Sequence, residues 1–471
     1  MSSPWNRYAP TRADLTGLLR LAIPIVLIQV GMMLMGVVDT IMVGHVSATA
    51  LAAVALGNLY AFGLSIFGLG VLLSLDPIVA QALGAGDRLA VSRGLQRGLV
   101  ISVILTVPTS LILLTVHPVL TLVHQPAEVI PFAAGYVYRV LPGIWPFYAF
   151  VVLRQTLQAH HRTRPIVVTI VVANLANASL NYLWIFGKLG FPVMGVLGTA
   201  WATLASRWLM AALLLALGWR DLAPYLRRLA PNVLDPRPLF RMLRLGAPIG
   251  AQMLLEWGAF GTIAILMGWL GTIQVAAHQV AINLASLTFM VPVGVSSAAA
   301  VIVGHAVGRA DPDGVRRSSL AALIVGAGFM SLTATAFIGF PTFLAGIYTS
   351  DPGVLALAVV LLPIAGVFQV FDGIQVVSVG LLRGMGDTRV PMIVAILAFW
   401  GLGMPVSLGL AFGRGLGAVG LWWGLVVGLA MVAIFLLLRI RHRTEQDLTR
   451  IMIDEHSQPH PIPSPAPEGQ G

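Results

Sequence analysis

The 471-residue chain is 58% hydrophobic and only 10% charged, with a mean hydropathy of +0.89. Soluble domains carry about 25% charged residues, so a water-facing globular protein is excluded and an integral membrane protein is indicated. The net charge of +10 does not point to nucleic acid, because the arginines gather in alternate loops and not on one face. With no cysteine in the chain, disulfides and thiolate metal ligands are excluded.

In chain order, a polar segment over 1–16 carries no cleavable leader pattern, so the first helix is expected to direct insertion itself. Long apolar runs then predict twelve spanning helices, at 17–43, 51–80, 97–119, 131–154, 165–186, 195–219, 245–269, 277–306, 319–343, 355–382, 391–412 and 417–438. Arg7, Arg12 and Arg20 precede the first. Further arginines follow the second ("GDRLAVSRGLQR"), fourth ("HHRTRP"), sixth, eighth ("GRADPDGVRR"), tenth ("RGMGDTR") and twelfth ("RIRHRTEQDLTR"). The intervening loops hold only Lys188 and Arg414. By the positive-inside rule both termini are expected on the cytoplasmic side.

The two halves repeat. A shift of 224 places Leu19-Arg20-Leu21 on Leu243-Arg244-Leu245, Pro24-Ile25 on Pro248-Ile249, Gly70 on Gly294, Gly84 on Gly308 and Asp87 on Asp311. Six spans separate the copies, so they insert the same way up. The expected fold is all-α, with an N-lobe at 17–219 and a C-lobe at 245–440 related as parallel repeats. An arginine-rich cytoplasmic linker is expected at 220–244. The Pro-rich tail, taken as 441–471, is expected to be a disordered cytoplasmic segment.

Three acids fall inside predicted spans and away from the loops: Asp39, Glu256 and Asp372. Placing one ionised residue mid-membrane costs about 2.5–3.5 kcal/mol, so such acids usually face a polar cavity. At about 1.5 Å per residue, Glu256 lies roughly 21 Å and Asp372 roughly 25 Å below the outer helix ends, so the two are level. Gln252 sits one turn from Glu256, Gln369 and Gln375 flank Asp372, and Gln279 and Asn283 form a further i,i+4 pair; all five are candidate cavity lining. Asp39 lies higher, roughly 8 Å down, at a depth near Asn181, with Asn177 and Thr203 a little deeper. Ile263 stands at its repeat position, so the lobes differ in chemistry. Two carboxylates in a low-dielectric cavity cannot both ionise cheaply and so take up a proton or a small cation. Sequence does not choose between Na⁺ and H⁺, and a structural, hydrogen-bonded role for Asp39 stays open.

Other polar residues carry less. Asp76 reads as interfacial, Arg207 either as a counter-charge or as a snorkelling side chain, and Arg139 as snorkelling. His160 and His161 are adjacent and so do not share a helix face, while His278 and His305 read as packing residues. No zinc-protease, Walker or nucleophile-elbow motif occurs, and no nucleophile and base share a depth, so an enzyme is not expected.

The stretches "VVDTIMVGH", "LGN", "QALGAGD", "QMLLEWGAF", "AAHQVAIN" and "LLRGMGDTRVP" together resemble multidrug and toxic compound extrusion (MATE) transporters, in particular the NorM-like bacterial branch, from about Leu15 to Arg439. The resemblance implies export of organic cations in exchange for Na⁺ or H⁺ by alternating access, with no cofactor. It implies a cation-coupling site, Na⁺ included, at Glu256 and Asp372, and a second coupling or substrate site at Asp39, Asn177, Asn181 and Thr203. It implies a bacterial inner-membrane protein acting as a monomer on small organic cations within the lipid bilayer, without nucleic acid. NorM-like proteins can carry a tyrosine one turn before the helix-ten acid; Phe368 stands there in this chain, removing a phenol oxygen. The alternative is a lipid-linked oligosaccharide or other lipid flippase of related fold, for which a basic cavity is expected.

Overall fold

The computed structural model describes residues 9–446 and 448–454. Among the described residues, twelve helices are long and apolar enough to cross a membrane. In chain order they are α1 (Arg12–Gly44), α2 (Ala48–Gly84), α3 (Arg88–Leu113), α4 (Ile130–Ala159), α5 (Arg164–Phe186), α6 (Val196–Leu226), α7 (Pro236–Leu270), α8 (Thr272–Gly308), α9 (Pro312–Gly339), α10 (Pro352–Gly384), α11 (Arg389–Gly413) and α12 (Gly417–Glu445). No strand occurs among the described residues. The chain is a multi-pass helical membrane protein.

Several helices reach further than apolar length alone predicts, and caps explain why. The Asp87 side chain accepts the Ala90 N–H at 2.9 Å and the repeat-related Asp311 accepts Gly314 N–H at 2.8 Å. Each satisfies an orphan donor and starts its helix inside an arginine-rich stretch expected to be loop. The linker expected at 220–244 shortens in the same way: α6 continues to Leu226 and α7 begins at Pro236, capped by Asp235. α2 breaks after Leu72 and resumes at Leu75. α4 passes through a 3₁₀ turn at Leu141–Gly143.

Each half has its own apolar cluster, and the first helix of each half starts in the other's. Leu18, Leu21, Ala22 and Ile25 of α1 pack in the C-lobe cluster, and Leu239 and Met242 of α7 in the N-lobe cluster. The crossing is two-fold in character, since Leu18 and Met242 are repeat-related. Pro24 and Pro248 sit inside the helices at this crossing.

The lobes also meet backbone to backbone at the arginine-rich end. A Cβ added to Gly84 would stand 2.9 Å from the His305 carbonyl carbon, and one added to Gly308 would stand 2.9 Å from the Gln81 carbonyl carbon. Gln81 and His305 are themselves repeat-related, so one contact is made twice. Among the described residues, no glycine nearer the opposite end than Gly63, which packs on Trp257, touches the other lobe. The lobes are thus closed on each other at one end.

The expected disordered tail is corrected over its first part. α12 runs to Glu445, and residues 448–454 lie against the N-lobe. Arg450 pairs with Asp87 at 2.9 Å, Ile451 N–H donates to Gln81 at 2.7 Å, and Asp454 takes a forked pair of bonds from Arg97 at 2.8 and 3.0 Å. Charge pairing and backbone bonds outweigh the polar composition that suggested disorder. Residues 455–471 of that expected tail, and residues 1–8 of the expected N-terminal segment, lie outside the described residues.

Candidate functional site

The N-lobe cluster is built by three helices. Asp39, in the second-last turn of α1, is 6% exposed. Asn181 of α5 donates to its Oδ1 at 2.5 Å and Thr203 of α6 donates to its Oδ2 at 3.1 Å. Asn177, one turn from Asn181, accepts that same amide at 3.2 Å. Both carboxylate oxygens therefore face donors from neighbouring helices, and the buried Asn181 Oδ1 has no hydrogen bond. Tyr136 of α4 completes the wall: it is buried within electrostatic reach of Asp39.

Arg207, one turn beyond Thr203, points inward. Its guanidinium lies over the Phe147 ring at 5.3 Å and acts electrostatically on Asp39. Of the two readings open in the sequence, the counter-charge fits this placement.

In the C-lobe, Glu256 of α7 accepts Gln252 at 2.9 Å and Gln375 of α10 at 2.6 Å, both on Oε1. Asp372, 8% exposed and one turn from Gln375, acts electrostatically on Glu256. The structure brings these four together. Gln369 turns elsewhere, accepting Thr288 and Thr333 hydroxyls at 3.0 and 2.8 Å. Gln279 donates to Asn283 at 3.1 Å and neither contacts the acids. Phe368 packs edge-on against Trp422 and Phe260, with centroids 5.5 and 6.0 Å away, closing one side of the acid pair with aromatic carbon. His278 packs at a tilt against Trp422, with ring centroids 5.6 Å apart, as a packing residue does. No group of three or more potential metal-binding side chains occurs among the described residues.

Two features escaped sequence reasoning. Tyr136 gave no signal, because a tyrosine in a span is commonly packing. Asp76 was read as interfacial, but it is 1% exposed and pairs with Arg383 of the other lobe. Arg383 was counted as a loop charge; it lies on α10 and is buried.

Two like-oriented six-helix repeats, each carrying a buried acid cluster, define a polytopic membrane protein of two pseudo-equivalent lobes. The MatE family profile matches residues 24–183 and 248–408, one match on each repeat. A probable multidrug resistance protein NorM of Rhizobium meliloti is 38% identical over 427 residues, covering 89% of this chain and 91% of that protein. The multidrug resistance protein MdtK of Pectobacterium atrosepticum is 34% identical, covering 92% and 96%. Among solved structures, the eukaryotic MATE transporter AtDTX14 superposes with a TM-score of 0.84 at 21% identity, over 92% of this chain and 97% of that one. An outward-facing MATE transporter of the MOP superfamily gives 0.82 at 20% identity, over 94% and 98%. The chain belongs to the MatE family.

Proposed function

We propose that the chain is a secondary antiporter that exports organic cations, drugs or cationic metabolites in exchange for Na⁺ or H⁺. The observation that carries this reading is the pair of separate acid clusters, one inside each lobe, in a protein whose two repeat-related lobes meet backbone to backbone at the arginine-rich end. Its relatives named for multidrug resistance support the same class of substrate.

The geometry supplies a mechanism. Both amide donors on Glu256 converge on one oxygen, which leaves the other, with Asp372, to take a cation or proton. These acids stand on α7 and α10, so neutralising their mutual repulsion draws the two helices together. In the N-lobe, Asn181 and Thr203 donate to the two oxygens of Asp39 and so stabilise its ionised form, which a proton or a small cation would neutralise. A cationic substrate and the coupling ion compete for one charge set, and that competition is exchange. The arginine-rich end is read as cytoplasmic, placing both termini there and the protein, as a monomer, in the bacterial inner membrane.

The test is uptake of a fluorescent organic cation into proteoliposomes under an imposed pH or Na⁺ gradient at clamped voltage, with Asp372→Asn alongside. Transport driven by one gradient and lost in the variant supports the reading and names the ion. Folded, oriented protein that responds to neither gradient overturns it and favours a flippase.

A further inference from the structure

One buried charge cluster plays no part in the exchange chemistry above. Asp76 stands in the first turn after the break in α2, and Arg383 stands near the end of α10 in the other lobe. Arg383 Nε lies 3.1 Å from Asp76 Oδ2, both side chains almost fully buried. The approach is off the N–H axis, so neither atom makes an aligned hydrogen bond. It is an ion pair across the lobe interface, close to where Gly84 and Gly308 bring the backbones together.

A second guanidinium serves the same carboxylate. Arg154 of α4, 6% exposed, belongs to the same lobe as Asp76 and acts on it electrostatically. Its Nη1 reaches Gln29 Oε1 at 3.3 Å and Met32 Sδ at 3.2 Å, both on α1, while its Nε makes no hydrogen bond. The two arginines also act on each other. One buried anion is thus paired with a cation of the other lobe and has a second buried cation of its own lobe within electrostatic reach.

Such an arrangement is a poor way to stabilise a static interface, because burying charge costs more than a well-packed apolar contact. It suits an interface that must part. A lone Asp76–Arg383 pair pulled apart would leave a bare carboxylate in a low-dielectric site, which is strongly unfavourable. Arg154 moves with Asp76, and its unbonded Nε leaves it capacity to take the carboxylate over.

We propose that Asp76 passes from Arg383 to Arg154 when the lobes separate at the arginine-rich end, so that the two arginines bias the transport cycle in opposite directions. Arg383 holds that end closed; Arg154 holds Asp76 when it opens. Both are positioning residues, and neither touches substrate. The proposal rests on the alternating-access reading.

The experiment uses the full-length chain, whose lack of native cysteine permits labelling at introduced sites. Leu89→Cys and Asp313→Cys, exposed repeat-related positions at the arginine-rich end of each lobe, carry nitroxide labels. Their separation is measured by pulsed electron paramagnetic resonance in lipid nanodiscs, at a pH or Na⁺ concentration where the parent protein populates two distances. Arg383→Gln is expected to raise the long-to-short ratio at least tenfold, and Arg154→Gln to lower it. Arg383→Lys, which keeps the charge, is expected to stay near the parent. A merely structural role would not give opposite signs. Shifts in the same direction, or none in Arg154→Gln, overturn the hand-over and leave alternating access standing. One unchanging distance in a parent protein that transports would overturn alternating access itself. If Arg383→Gln fails to fold, Arg154→Gln and Arg383→Lys still decide the matter.

Discussion

The closed end of the molecule depends on two glycines, and replacing one has a calculable effect. In Gly308→Ala the new methyl would lie 2.9 Å from the Gln81 carbonyl carbon and 3.0 Å from the Ala85 nitrogen. Carbon–carbon contacts settle at roughly 3.5–4.0 Å, so the lobes must part locally by at least about 0.6–1 Å, and the still nearer Gln81 carbonyl oxygen demands more. The neighbour is backbone, with no side chain that could swing aside. Overpacking of this kind costs about 1–3 kcal/mol, and that cost falls only on the closed arrangement. It corresponds to roughly a 5- to 150-fold shift toward the state parted at the arginine-rich end. Gly84→Ala meets His305 in the repeat-related way and should shift the equilibrium equally. The double variant should shift it little more than the worse single, since one separation relieves both clashes. Gly328→Ala, with open space around it, is the control. The assay is the distance between labels at Leu89→Cys and Asp313→Cys. An unchanged distribution in Gly308→Ala would refute the claim that these glycines set the closure.

Glu256→Gln and Asp372→Asn should each abolish ion-coupled export while the membrane level of protein stays near normal; wild-type transport in both would remove the C-lobe site. Asp39→Asn should impair gradient-driven export, read as initial rates in proteoliposomes; unchanged rates and ion dependence would leave Asp39 a structural residue. Phe368→Tyr should strengthen Na⁺ dependence by placing an oxygen one turn from Asp372, and superimposable Na⁺ titrations would count against it. The terminal strap should release only in acid. For Asp454, burial works upward, but Arg97 and Arg93 outweigh it and hold the carboxyl below its usual range; for Asp87, the Ala90 N–H and Arg450 do the same against burial. A lowered carboxyl stabilises docking above its ordinary pKa near 3.9 and loses that contribution as pH falls through the lowered value. The fluorescence anisotropy of a dye on Met452→Cys should therefore hold from neutral pH down to about pH 4 and drop below that. Loss of anisotropy already near pH 6 would contradict the ion-pair account.

What could be read in advance follows from range. Spans are local, since about twenty apolar residues suffice, and the repeat is a matter of register, so both stood in the sequence. The Asp39 cluster was legible because a carboxylate and two asparagines at matching depth are conspicuous against aliphatic neighbours. The Glu256–Gln375 bond was half legible: depth put the residues level, but only packing shows that Gln375 turns toward Glu256 and Gln369 away. Arg383 was hidden for a physical reason. Charges at the ends of spans look alike whether they face water or a facing lobe, and the positive-inside rule assigns both to loops. Residues 448–454 were hidden because a short irregular segment held by a few ion pairs and backbone bonds has no periodicity.

The crossing of α1 and α7 bears on how the chain is assembled. Leu18, Leu21, Ala22 and Ile25 find their neighbours in a lobe that begins more than two hundred residues later. During synthesis the first helix therefore waits, with that face covered by lipid or by a provisional partner, until the second half has been inserted. Neither half can complete its own interior. A gene duplication that produced this architecture joined two copies which, before fusion, would have had to trade the same helix ends as separate polypeptides.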